Sequence, residues 1–187
     1  AMRRQQHVEQ FGVEQMHLFF DFQPGLVTVG QLFIVSNPGD RAYLAADGTS
    51  AHLPMPRGAL NIRFQDGELG GRYQMVTDGL ADTEPLVPGV GSAQILLSYD
   101  LPYVGNQLDI ELPLPYPVKS VNVLVAESGP KLSSPQLVSA GVRGTQSGNM
   151  VNLVGANLAA GSKLALSLSG AVASTPASAG TTGGSTV

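Results

Sequence analysis

The run Val13 to Phe22 (VEQMHLFFDF), the break at Pro24-Gly25 and the run Leu26 to Ser36 (LVTVGQLFIVS) decide the fold class. In the first run Met16, Leu18, Phe20 and Phe22 share one face, and Gln15, His17, Phe19 and Asp21 share the other. That is the period-two alternation of a half-buried strand. The second run is long and rich in β-branched and large apolar residues, as strands are. Asn37-Pro38-Gly39-Asp40 follows it as a turn, since Pro presets φ near −65° and Gly accepts a positive φ. The two runs read as a hairpin.

Working outward, the same signature recurs and helical periodicity does not. Strands are expected at Ala42–Ala45, Ala59–Phe64, Tyr73–Val76, Ala93–Leu101, Gln107–Leu112, Val118–Val125, Gln136–Val142, Met150–Val154 and Lys163–Leu168. Short strands separated by Gly, Pro and Asp turns indicate a sandwich or barrel. Leu53-Pro54-Met55-Pro56-Arg57-Gly58 and Leu112-Pro113-Leu114-Pro115-Tyr116-Pro117 cannot sit in central strands, because Pro donates nothing to a ladder. Both are expected as edge segments or crossovers between sheets. Leu132 to Leu137 is the one helical candidate, and Pro135 argues against it.

The expected fold is therefore all-β, an antiparallel β-sandwich of Ig-like or jelly-roll-like type with Pro-rich crossovers. Residues 1–7 form an N-terminal extension and residues 8–170 the sandwich, with two tightly packed sandwiches as the alternative. Residues 171–187 (AVASTPASAGTTGGSTV) have neither a charge nor an aromatic ring. Such a segment buries too little apolar surface to offset its ordering entropy, so by itself it reads as a tether.

Composition narrows the function. The 187 residues include 23 Gly and 13 Pro, are 43% hydrophobic and carry a net charge of −4, which suits an all-β chain and offers no basic patch for nucleic acid. Cysteine is absent, which removes disulfides, thiolate metal sites and a Cys nucleophile. No stretch approaches the ~20 apolar residues of a membrane span. The Ala1-Met2-Arg3-Arg4 start has no apolar run behind it, unlike a signal peptide.

The candidates for chemistry are few. His7, His17 and His52 lack the paired spacing of a zinc site, and no Gly-x-Ser-x-Gly elbow occurs. Two acidic segments, Gln65 to Gly71 and Thr77 to Glu84, bracket a short strand. Hard oxygen ligands on Gly-containing loops are what calcium uses, which makes Asp66, Glu68, Asp78, Asp82 and Glu84 the calcium candidates. Asp-Gly is equally a tight-turn pair. Tyr99, Tyr103 and Tyr116 gather near the second Pro joint and either line a ligand groove or cap the core with their hydroxyls at its rim.

Four runs carry a resemblance: Leu32 to Arg41, Phe64 to Arg72, Ser98 to Tyr103 and Leu112 to Pro117. Over roughly residues 10–170 the chain resembles uncharacterised bacterial envelope proteins. In these, a carboxypeptidase-regulatory-like β-sandwich precedes a second β-rich domain and a hydrophobic C-terminal anchor. The resemblance implies that this chain is the second domain. It also implies an extracytoplasmic setting at the cell surface or in the periplasm, and no established activity. Membrane contact would come only through an anchor outside the chain.

The expected function is a non-enzymatic structural or interaction module without a cofactor, with protein partners or self-assembly through an edge strand or an exchanged terminal segment. Val8 to Phe22 or the tail is the segment exchanged. A calcium- or glycan-binding module is the alternative.

Overall fold

The hairpin expected around Pro24-Gly25 is present in the computed structural model, which describes residues 11–172. Its strands are β1 (Gly12–Gln23) and β2 (Leu26–Asn37), with Met16 opposite Phe33 and Phe22 opposite Val27. The chain continues through β3 (His52–Pro54), β4 (Leu60–Phe64), β5 (Tyr73–Val76), β6 (Gly79–Asp82) and β7 (Gly89–Pro102). It then forms β8 (Gln107–Pro113), β9 (Val118–Ala126), β10 (Lys131–Ser133), β11 (Val138–Thr145), β12 (Gly148–Leu158) and β13 (Lys163–Ser169). The fold is all-β, with no helix among the described residues.

One layer is a seven-stranded sheet in the order β11-β12-β9-β1-β2-β7-β4. The other layer is split into two three-stranded sheets, β3-β6-β5 and β10-β13-β8. Alternation places Met16, Leu18 and Phe20 of β1, Val27, Val29 and Phe33 of β2, Ile95 and Leu97 of β7, and Val121, Val123 and Val125 of β9 on the inner face. These join Leu53, Tyr73 and Leu80 of one small sheet and Ile110, Leu112, Leu164 and Leu166 of the other in a single buried cluster.

One pairing departs from the antiparallel expectation. β9 runs parallel to β1, from Val13 opposite Val118 to Phe20 opposite Val125. The second Pro joint explains the direction. It carries the chain from β8 into the large sheet at the end where β1 begins, and the Val13 N–H donates to the Pro117 carbonyl at 2.9 Å. β9 therefore starts beside the start of β1.

The Pro joints behave as Pro requires. β3 is the edge of its sheet, β8 is the edge of the other, and residues 114–117 form a crossover. Three local expectations change. Leu132 begins no helix, since Lys131–Ser133 pairs with β13 and Pro135 follows. Ala42–Ala45 is reduced to a bridge between Tyr43 and Leu86. The second acidic segment is not all loop, because Gly79–Asp82 is strand β6, buried at every position. β1 sits between β9 and β2, so residues 12–22 are a central strand rather than a free arm for exchange. Residues 8–10 and the tail from 173 lie outside the described residues.

Candidate binding surfaces

Of the acidic candidates, Asp66, Asp82 and Glu84 converge, and the positive charge between them is Arg72. Arg72 stands directly before β5, and β5 pairs with β6 so that Tyr73 faces Asp82. Its guanidinium grips Asp82 with two bonds, Nε to Oδ1 at 2.9 Å and Nη2 to Oδ2 at 2.7 Å. Nη1 reaches Glu84 Oε2 at 2.7 Å and Asp66 Oδ2 at 3.4 Å. Asp82 is buried, with 4% of its side chain exposed, whereas Asp66 is 88% exposed. The fork geometry and the buried carboxylate raise the Arg72 pKa further above its usual value.

The guanidinium also lies 5.0 Å from the centroid of the Tyr73 ring, which stacks on Phe64 at 4.0 Å. Burial pushes the Tyr73 hydroxyl up to about 12. Glu68 engages this corner through its backbone, its carbonyl accepting from the Gly71 and Tyr73 N–H groups. Asp78 sits apart on the β5–β6 turn. Among the described residues no group of three or more His, Asp or Glu could hold a metal ion. The signal for Arg72 was present in the sequence as one cation between two runs of carboxylates.

The three tyrosines do not line one groove. Tyr99 is fully buried and its hydroxyl donates to Gln31 Oε1 at 2.9 Å. Tyr103 donates to the Gly170 carbonyl at 2.6 Å, and the Tyr116 hydroxyl accepts the His52 N–H at 3.0 Å. Each ring belongs to the core and each hydroxyl satisfies a different segment at its margin, as buried tyrosines commonly do. Burial raises the pKa of all three.

A cleft of about 420 Å³ does exist, where the second layer is split. Both Pro joints reach it: Leu53 and Pro54 from one half, Pro113 to Pro115 from the other, closed by Asp78 and by Gly161 to Lys163. Gly79 backs the β3 wall because a Cβ there would collide with the Leu53 carbonyl oxygen. The walls offer little unpaired backbone. The His52 N–H goes to Tyr116, the Pro54 carbonyl accepts from Gln31 Nε2 at 3.4 Å, and Leu114 exchanges bonds with Gly161 and Ser162. Lys163 is paired with Glu111 at 2.9 Å. The cleft is lined mainly by apolar groups, with His52, Thr77, Asp78, Ser162 and Lys163 among them, and no described Trp, Tyr or Phe lines it as a sugar platform.

The edges of the large sheet differ sharply. β4 is five residues long, and its Arg63 and Asn61 are tied to Asp100 on β7 at 2.8 Å and 3.0 Å. β11 is eight residues long and exposed at every position. Its partner side is held by β12 around the two-residue turn Gln146-Ser147, which makes Thr145–Gly148 a hydrogen-bonded pair. By alternation Val142 and Gly144 then turn their N–H and C=O groups outward. The Asn149 carbonyl, opposite Gly144, accordingly faces β9 and accepts the Glu127 N–H at 2.9 Å. No described residue pairs with the outer side of β11. Exposure on both faces could not be read from Gln136–Val142, because it depends on how far the second layer extends. Compared with known proteins, the sequence matches no family model and no curated protein.

Proposed function

We propose that this chain is a non-catalytic interaction module of a bacterial cell-envelope protein, and that it holds another polypeptide by strand addition along β11. The observation that carries the reading is the eight-residue edge, exposed throughout, with Val142 and Gly144 presenting backbone groups outward. Such an edge is a template for an incoming extended segment, whose main-chain bonds supply affinity. The bulge between Ser139 and Val142 and the charge of Arg143 restrict which segments fit. The envelope setting is supported by the resemblance of the four sequence runs described above.

The test is photocrosslinking in the cell of origin, with a photoreactive residue at position 143 and a control at Lys131, which is exposed on the other layer. A polypeptide adduct from 143 alone, recovered with the envelope and abolished by Val142→Pro, is the expected result. An adduct that persists in the proline variant, or none at all, overturns the edge reading. An adduct in the cytosolic fraction overturns the envelope setting.

A further inference from the structure

Between Lys131 and Lys163 the only charged residue is Arg143. That interval includes the whole β11–β12 hairpin, so in a chain of net charge −4 this hairpin is positive. Cations on other strands are matched at close range, Arg63 with Asp100 at 2.8 Å, Lys119 with Glu14 at 2.7 Å and Lys163 with Glu111 at 2.9 Å. Arg143 is exposed and has no ion-pair partner among the described residues. Glu127, the acid beside the hairpin, accepts from Asn149 Nδ2 at 3.0 Å instead.

Only part of β11 is a regular edge. Its ladder with β12 breaks between Ser139 and Val142, where Gly141 has a φ of 98°, and then runs unbroken from Val142 to Thr145. Gly144 has no side chain, and the Thr145 hydroxyl donates back to the Gly148 carbonyl at 2.8 Å. Val142 and Arg143 are therefore the side chains that meet an added strand. They stand on opposite faces of the sheet. Val142 is opposite Val151, which is opposite the buried Val125, whereas Arg143 shares the other face with Met150. Val142 is 52% exposed.

Resting on the reading of β11 as a strand acceptor, we infer that the segment it takes is acidic, an extended stretch with a carboxylate facing Arg143 and, next to it, an apolar residue facing Val142. Opposite charges that face each other across paired strands stabilise the pair, and like charges weaken it. The apolar neighbour covers Val142, which the second layer leaves half open. A second copy of β11 is a poorer partner. Antiparallel self-pairing through both outward residues sets Val142 opposite Gly144, and Arg143 then falls opposite its own counterpart, in the kind of pair where side chains lie closest. A charge on an edge also serves elsewhere as a guard against any added strand. That role predicts the opposite result when the charge is removed.

Fluorescence anisotropy on the intact chain tests it, with short synthetic peptides of alternating Val and Thr in which one central Thr is replaced by Glu, Gln or Lys. The Glu peptide should bind about tenfold more tightly than the Lys peptide, with the Gln peptide between them and the spread narrowing as salt is added. Arg143→Gln should weaken the Glu peptide only about threefold, since main-chain bonds supply the rest, and should erase the preference. Arg143→Glu should reverse it. A Glu peptide methylated on every backbone nitrogen has no N–H to offer the edge and should not bind, a control that leaves the protein unaltered. Equal binding of the three peptides, lost on methylation, overturns the acidic selection and leaves strand addition standing. Tighter binding of all three by Arg143→Gln makes Arg143 a guard and overturns the selection as well. Binding that survives methylation, or no binding by any peptide, overturns strand addition itself.

Discussion

Asn152 is fully buried on β12, opposite the bulge in β11, and neither Oδ1 nor Nδ2 has a hydrogen-bond partner among the described residues. An amide kept from water without a partner costs stability, whereas an apolar group of the same branching costs nothing there. Asn152→Leu should therefore stabilise the protein by about 1 kcal/mol, seen as a higher urea midpoint with an unchanged slope. A lower midpoint would show that the amide is satisfied. Asp100 is the opposite case, a carboxylate held by Arg63, Asn61 and Thr28. These partners hold its pKa well below the ordinary 3.8, the Arg63 bond being the largest cause. A depressed carboxylate pKa stabilises the fold above 3.8 and loses that contribution as pH falls through the lower folded value. Asp100→Asn should lower the urea midpoint at neutral pH, and the gap from the native chain should close in acid. A gap independent of pH would assign the effect to packing.

At the scale of elements, the β5–β6 hairpin is stapled by Arg72 across its open end, with Asp82 paired to it and Glu84 and Asp66 at the rim. Removing the guanidinium strands Asp82 in a buried position. Arg72→Met should therefore cost about 3–5 kcal/mol, and adding Asp82→Leu should recover most of it. Since the guanidinium occupies the space between the three carboxylates and ties up the buried Asp82 with both of its oxygens, millimolar calcium should leave the thermal midpoint of the native chain unchanged. A rise of several degrees would restore the calcium reading for these residues. β11 is the contrasting element, a hairpin strand whose exposed positions contribute little burial. Its outer amides at Val142 and Gly144 are accordingly the ones available to a partner strand.

For the molecule as a whole, the consequential feature is a continuous sheet beneath a divided second layer. Each half-layer packs on the same inner face, and the buried cluster runs through both. The halves should melt together. Leu18→Ala, deep in β1 between β9 and β2, should cost about 3 kcal/mol and lower one calorimetric transition without splitting it. Two resolved transitions would mean that the halves fold separately, as two sandwiches would.

The sequence alone determined what a strand's pleat and its neighbours dictate. The β1–β2 hairpin was legible because period-two alternation and a Pro-Gly break are local, and the Pro joints were legible as edges because a missing N–H is local too. The short strands β3, β6 and β10 were not, since three or four residues beside Pro or Gly carry too little alternation to register. The candidate sites were legible only as residue types. Clustered carboxylates suggested an ion, and gathered tyrosines suggested a groove. Only the tertiary structure placed Arg72 among the acids, buried the tyrosine rings, laid β9 parallel to β1 and left the outer side of β11 without a strand partner among the described residues. Pairing partners, layer coverage and the identity of a counter-charge are set by residues far apart in the chain, and no local pattern encodes them.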